Sequence, residues 1–339
     1  MKRNRRKKKR QQFLTMGIII LLTVLLVILV SKIFDYFLPA NESVKNKKET
    51  SKLTVETKKE TEPETKPETM EPVAFDTGGQ TLYSPYAILI RLDDDQVVYE
   101  TRSEERAFPA SLTKMMTAIV AIENLPDLQA DVTIPEDIYQ ALYEANASLA
   151  GFSPGETVPA IDLLYGTMLP SGAEASIGLA EIVAGSESAF VEMMNKKASE
   201  LGMANTHFAN VEGLHDENHY STAKDMAVLM EYALKNETFR KIITSVSYTT
   251  SPTNMNPDGI TFYSTVLARI ETTDINGGEI LGGKTGYTPE AGLCLASLAL
   301  KDGREYILIT MGAPGNHQTE QFHFMDALKV YGTYLGDNS

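Results

Sequence analysis

One cysteine, no tryptophan and five histidines in 339 residues leave several common chemistries without material. A single cysteine forbids any disulfide within the chain, so the fold must rest on its hydrophobic core. Cys294 lies inside the apolar run 291–300 and reads as a small buried hydrophobe rather than a nucleophile. The histidines do not complete a metal motif. His215-x-x-x-His219 has ligand-like spacing, but Asp216 and Glu217 stand between the two in a loop, and there is no His-Glu-x-x-His helix. His207, His317 and His323 have no evident partners, so no metal and no cofactor are expected. Positive charge is scarce as well, except at the start. Residues 1–38 carry nine basic groups against one acidic, residues 39–73 seven against eight, and the net −14 leaves −21 for residues 74–339. A region that acidic is a poor nucleic-acid binder, because phosphate contacts need clustered Lys and Arg.

The first ten residues hold eight Lys or Arg, and residues 13–30 form an uninterrupted uncharged, mostly apolar run. At helical rise that run spans roughly 27 Å, close to the hydrocarbon thickness of a bilayer. The pattern predicts a basic cytoplasmic tail over 1–12 and a retained transmembrane anchor over 13–31, with the remainder facing outward by the positive-inside rule. A cleaved signal peptide would have a shorter apolar core and an Ala-x-Ala-like site, whereas Ser31-Lys32-Ile33-Phe34-Asp35 follows here. Residues 39–73 are Glu, Thr, Lys and Pro with almost nothing to bury, which predicts a disordered tether. Its reach is roughly 30 Å as a coil and on the order of 100 Å if extended. Residues 74–339 then form the folded, catalytic domain.

Two short motifs in that domain carry chemistry: Ser111-Leu-Thr-Lys114 and Lys284-Thr-Gly286. A serine three residues before a lysine on a helix puts both side chains on one face, one turn apart, so an amine can take a proton from a hydroxyl. A second lysine beside Thr285 and Gly286 suits an edge strand that holds a carboxylate. Together they describe an acyl-transfer site without a catalytic histidine. Ser-x-x-Lys alone is weak, and Ser221-Thr-Ala-Lys224 also fits it. Ser221 and Thr222 read as N-cap chemistry for a helix over 223–234. The first copy leads into Met115, Met116, Ile119, Val120 and Ile122, an apolar helix that would be buried and could fix a hydroxyl against an amine.

Around these motifs, Tyr86, Ile88, Ile90 and Leu92 alternate and Gln96–Tyr99 resumes after three aspartates, predicting a hairpin with an acidic turn. Helices follow over 111–124, 161–168, 176–184, 189–201 and 223–234. Strands return over 282–285, 292–300 and 305–311, with a turn at Lys301-Asp-Gly-Arg304, and a helix over 321–334 closes the chain. No internal repeat is evident. The expectation is an α/β (α+β) fold: an antiparallel sheet completed from N- and C-terminal segments, with a helical insert and helices on its faces.

Over nearly all of residues 80–335 the chain resembles the low-molecular-weight penicillin-binding proteins, serine D-alanyl-D-alanine carboxypeptidases of peptidase family S11. The strings that carry the resemblance are Pro109-Ala-Ser-Leu-Thr-Lys-Met-Met-Thr117, Leu163-Leu-Tyr-Gly-Thr-Met-Leu-Pro-Ser-Gly172, Gly213-Leu with His219-Tyr-Ser-Thr-Ala-Lys-Asp-Met-Ala227, and Gly283-Lys-Thr-Gly-Tyr-Thr with Ala291-Gly-Leu-Cys294. The resemblance implies a serine β-lactamase/DD-peptidase-like fold, Ser111 as the acylated nucleophile, Lys114 as its general base and Ser171 in the proton relay to the leaving amine. It further implies that Lys284, Thr285, Gly286 and Tyr287 bind substrate, with Lys284 and Thr285 on the terminal carboxylate, and that the N–H groups of Ser111 and Tyr287 form an oxyanion hole. His219 is structural in the same resemblance. The implied partners are a peptidoglycan stem peptide and, as covalent inhibitors, β-lactams. The N-terminal span would anchor the enzyme in the cell membrane of a Gram-positive envelope, single-pass, with the catalytic domain outside.

One position departs from the family pattern. The family has Ser-x-Asn where this chain reads Ser171-Gly-Ala173, so an expected hydrogen bond disappears, an effect on the order of 1.5–3 kcal/mol or ten- to hundredfold in rate. Glu174 is expected to support the N-terminus of the following helix. A non-catalytic wall-binding or sensor protein is the alternative that Ala173 raises. A β-lactamase is a further one, lacking here any Glu-x-x-Leu-Asn-like string to drive deacylation.

Overall fold

A computed structural model describes residues 73–74 and 81–335 of the chain. The tail, the membrane span and nearly all of the tether expected from the sequence lie outside these residues. No helix among the described residues is long and apolar enough to cross a membrane.

The central sheet has five strands, β1 (Tyr86–Arg91), β2 (Gln96–Thr101), β3 (Gly278–Thr288), β4 (Gly292–Lys301) and β5 (Arg304–Ala313), all paired antiparallel in the order β2-β1-β5-β4-β3. The N-terminal hairpin is thus completed by a C-terminal meander, as expected. Its acidic turn closes through Asp95 at φ 55° and a bond from Arg91 Nε to Asp94 Oδ1 of 2.9 Å. The turn between β4 and β5 places Asp302 and Gly303 at φ 53° and 75°, the two positive values a two-residue hairpin needs to follow strand twist. β3 runs well beyond the predicted 282–285 in both directions and is an outer strand of this sheet.

The helices in chain order are α1 (Lys114–Asn124), α2 (Tyr139–Glu144), α3 (Ala160–Met168), α4 (Ala173–Ala184), α5 (Glu187–Glu200), α6 (Ala223–Leu234), α7 (Glu237–Ile243) and α8 (Phe322–Tyr334). Three differ from the expected bounds by more than one residue: residues 110–113 form a 3-10 turn ahead of α1, α4 starts at Ala173 rather than 176, and α5 at Glu187 rather than 189. α2 and α7 escaped the sequence reading, being too short to show a helical period, although Asn236 caps α7 by accepting from Thr238 N at 3.0 Å and Phe239 N at 3.1 Å. Short ribbons pair Asp131–Thr133 with Thr157–Pro159 and Ser247–Thr249 with Thr261–Tyr263.

Helices cover both faces of the sheet. Ile88, Ile90, Ala296, Leu298, Ile307 and Ile309 pack into the large cluster with the helical insert, while Ala87, Leu89, Leu295 and Leu308 pack with Phe324, Val330 and Tyr331 of α8. α1 is buried without a break from Lys114 to Ala121, apolar all round but for its lysine and Thr117, which makes it the axis of the insert. Burying each of its Met, Ile and Val side chains contributes about 1.5–3 kcal/mol and holds the 3-10 turn at its head in place. Cys294 is fully buried in the same cluster, and burial pushes its thiol up to about 12.

Candidate active site

Ser111 sits in the 3-10 turn Ala110–Thr113, between Pro109 and the first residue of α1. Ala110, immediately before it, is held at φ 47°, a left-handed conformation that costs an L-residue about 1–2 kcal/mol. Two glycines enforce this. A Cβ on Gly213 would lie 2.0 Å from the Ala110 carbonyl oxygen, and one on Gly286 of β3 would lie 3.1 Å from Ser111 N. The turn is clamped between a loop and the edge strand, at Gly213 where only hydrogen fits and at Gly286 where a Cβ would be tight, which brings Ser111 against the Lys-Thr-Gly segment.

Lys114 is buried, and its Nζ lies 3.3 Å from Ser111 Oγ and 2.5 Å from the carbonyl oxygen of Glu212. Burial lowers its pKa from the ordinary lysine value of 10.5, while the carboxyls of Glu212 and Glu174 pull it part of the way back. A buried amine that loses its proton readily and touches a hydroxyl is what a base for serine acylation requires. Lys284 is fully buried on β3 and donates to Ser171 Oγ at 2.9 Å and to the Thr285 carbonyl at 2.8 Å. Its pKa is driven far down by burial, by Lys114 and by Arg269. Ser171 takes φ 71° to reach this lysine, and Thr285 Oγ1 bonds to Thr265 Oγ1 at 2.8 Å. The two motifs, 170 positions apart in sequence, therefore share one electrostatic environment.

A cavity of about 480 Å³ opens over Ser111 and Lys114, lined also by Ala173, Glu212, Tyr287 and His317, whereas Ser171, Lys284 and Thr285 do not line it. Ala173 is buried, and its N–H donates to the Ser148 carbonyl at 2.8 Å, so its methyl group faces the site with no polar atom to offer. Glu174 is turned away from this wall. Its Oε1 accepts from the N–H groups of Ala150, Gly151 and Phe152 at 2.7, 2.9 and 3.3 Å. Glu174 lies in the first turn of α4, as expected, and its carboxylate also holds the loop 145–152, whose residues 145–148 line the cavity. Burial raises the pKa of this carboxyl against the pull of those N–H groups.

The Peptidase_S11 family, D-alanyl-D-alanine carboxypeptidase, matches residues 74–315. The chain belongs to this family. It is 37% identical over 238 residues to the D-alanyl-D-alanine carboxypeptidase DacF of Bacillus subtilis (strain 168), covering 67% of this chain and 57% of that protein. With DacC of Escherichia coli (strain K12), a D-alanyl-D-alanine carboxypeptidase, it shares 32% identity over 286 residues, covering 76% and 64% respectively. The chain therefore spans less than two thirds of the length of these two curated relatives. The crystal structure of the Streptomyces K15 DD-transpeptidase superposes with a TM-score of 0.67 at 29% identity, covering 76% of this chain and 99% of that one.

Within this S11 chain the second Ser-x-x-Lys string is taken apart by the fold. Thr222 caps α6 by accepting from Asp225 N at 3.0 Å, Ser221 Oγ bonds Thr206 Oγ1 at 2.8 Å, and exposed Lys224 pairs with Glu104 at 2.6 Å. His219 holds the 3-10 turn of Ser111 through Thr113. Its Nδ1 accepts from Ala209 N at 3.1 Å, which leaves Nε2 as the donor to Thr113 Oγ1 at 2.7 Å. Burial pushes this imidazole down to about 4, so it is neutral. His215 instead stacks edge-on against Phe108, with ring centroids 4.7 Å apart. The loop 145–148, Thr265, His317 and the buried Glu212 escaped the sequence reading. Only Glu212 had a signal, as the neighbour of the Gly213-Leu string.

Proposed function

We propose that the chain is a membrane-anchored serine D,D-carboxypeptidase that removes the terminal D-alanine from peptidoglycan stem peptides through a Ser111 acyl-enzyme. The observation that carries this reading is the contact of Lys114 Nζ with Ser111 Oγ at 3.3 Å inside a buried site that favours the neutral amine. Lys114 takes the hydroxyl proton as Oγ bonds to the carbonyl carbon of the penultimate D-alanine. The oxyanion sits against the N–H groups of Ser111 and Tyr287, donors worth roughly 3 kcal/mol each. The C–N bond then breaks, and the leaving amine receives a proton relayed by Ser171, whose Oγ accepts from Lys284 and whose own hydroxyl hydrogen is free to move. Water hydrolyses the ester, releasing the shortened stem and restoring Ser111. Lys284 and Thr285 hold the carboxylate that makes the enzyme an exopeptidase.

Ala173 in place of the family's Asn slows this chemistry without removing any group that makes or breaks a bond. The intact geometry of Ser111, Lys114, Ser171 and Lys284 supports an enzyme over a wall-binding protein. A β-lactamase is disfavoured because the chain offers no Glu-x-x-Leu-Asn-like string to place a deacylating carboxylate. The run at 13–31 supports the anchor, and β-lactams should acylate Ser111. The test is D-alanine release from a muropeptide ending in D-Ala-D-Ala, using the full chain in detergent beside Ser111→Ala. Release by the wild type alone supports the reading; retention of muropeptide affinity with no release by either protein would replace it with a pseudoenzyme.

A further inference from the structure

Lys114 has an unusual neighbour. Glu212 is buried, lines the same cavity as Ser111 and Ala173, and its Oε2 has no hydrogen-bond partner. A buried carboxylate oxygen without a partner is costly and calls for an explanation. Its placement is rigid. Val211 beside it donates its N–H to Glu187 Oε1 at 3.2 Å and accepts from Thr117 Oγ1 of α1 at 2.6 Å, and Asn210 bridges to Gly213 N at 2.8 Å and Leu214 O at 2.9 Å. The Glu212 carbonyl itself accepts from Lys114 Nζ, so the residue is fixed to the amine by its backbone.

We propose that Glu212 is the positioning carboxylate of the Ser111–Lys114 pair, supplying from the 210–214 segment the counter-group that position 173, an alanine, does not offer. The inference rests on the acyl-transfer reading above. When Lys114 takes the Ser111 proton, an ammonium forms among buried groups, and the carboxyl of Glu212 stabilises it there. The titratable groups around this pair are Glu187 from the first turn of α5, Glu174 from α4, Lys284 from β3 and the neutral His219. Burial, and next to it the facing Glu187 carboxyl, raise the Glu212 pKa to about 8, while Lys114 pulls it down. Glu212 and Lys114 thus exchange charge as a unit, with Glu187 setting the balance.

The test is the pH dependence of acylation by a fluorescent penicillin, using the full chain in detergent with wild type, E212Q, E212D and E187Q. Loss of the Glu212 charge removes the pull that keeps Lys114 protonated. E212Q is therefore expected to move the acid limb to lower pH while the plateau rate falls about tenfold or more. E212D lies between. E187Q lets Glu212 ionise more readily and moves the limb the opposite way, to higher pH. Introducing A173N into E212Q restores some of the plateau rate by giving Lys114 a new acceptor. Profiles of E212Q and E187Q that superimpose on the wild type, or a rate loss equal at all pH, would overturn the proposal. If E212Q does not fold, E187Q alone decides by the presence or absence of its shift. Acylation surviving in Ser111→Ala would sink the acyl-enzyme reading itself, whatever the limbs do.

Discussion

Gly213 lies against Ala110 so closely that a Cβ on the glycine would come within 2.0 Å of the alanine's carbonyl oxygen, and Gly213 itself takes φ 83°. Ala110 is the left-handed residue that sets Ser111 at the head of α1, so this contact locks the backbone at Ser111. Gly213→Ala adds both a backbone clash and an unfavourable φ. It is expected to cost about 2–4 kcal/mol, seen as a fall in melting temperature, and to reduce penicillin acylation in the fraction that remains folded.

The two buried lysines oppose the fold that holds them. A lysine whose native pKa is lowered binds fewer protons folded than unfolded, so its penalty is full at low pH and fades as pH rises towards the unfolded value near 10.5. Replacing Lys114 by methionine is therefore expected to abolish acylation yet raise stability by more than about 1 kcal/mol at pH 7. The gain should shrink as pH approaches 10. Urea midpoints of both proteins at several pH values provide the check, and a methionine variant less stable at every pH would contradict it.

His219 makes the opposite kind of demand at acid pH. Its imidazole is neutral in the folded protein down to about 4, whereas the unfolded group takes a proton near 6.5. Below 6.5 the unfolded state binds the extra proton, so stability falls as pH drops from about 6.5 to 4 and levels out below. This residue should contribute about 3 kcal/mol of that loss. In His219→Gln the acid slope in this window is expected to flatten, measured by chemical denaturation at pH 7 and pH 5.

Glu174 should be needed for the wall of the cavity rather than for proton transfer. Glu174→Ala frees the N–H groups of residues 150–152 and should cost about 2–4 kcal/mol while opening the 145–152 loop to proteolysis. Glu174→Gln keeps one acceptor oxygen and should recover most of that order. A large change in acylation rate without a change in protease susceptibility would point to a direct chemical role instead.

Much of this was legible in the sequence because it depends on local pattern. The hairpin at 86–101, the meander with its Asp302-Gly303 turn, the buried α1 and the α6 cap at Thr222 all follow from periodicity and turn chemistry within a dozen residues. So did the approach of Lys114 to Ser111, since three positions on a helical turn make two side chains neighbours. The Lys-Thr-Gly segment was read as an edge strand, and it is one. The short helices α2 and α7 left no period to read, and Glu174 was assigned to its own helix because a sequence shows an acid at a first turn but not the loop folded over it.

The sequence by itself determined the elements, their order and the residue types able to transfer an acyl group, because propensity and spacing act over one or two turns of chain. Only the tertiary structure decided which of two Ser-x-x-Lys strings has its lysine buried against its serine. Burial lowers the pKa of Lys114 beside Ser111, while Lys224 remains in solvent paired with Glu104. Desolvation is a property of everything packed around a group. It was therefore also the fold that brought Lys284 against Ser171 and Glu212 against Lys114 from distant segments, and so shifted the charges of the two lysines.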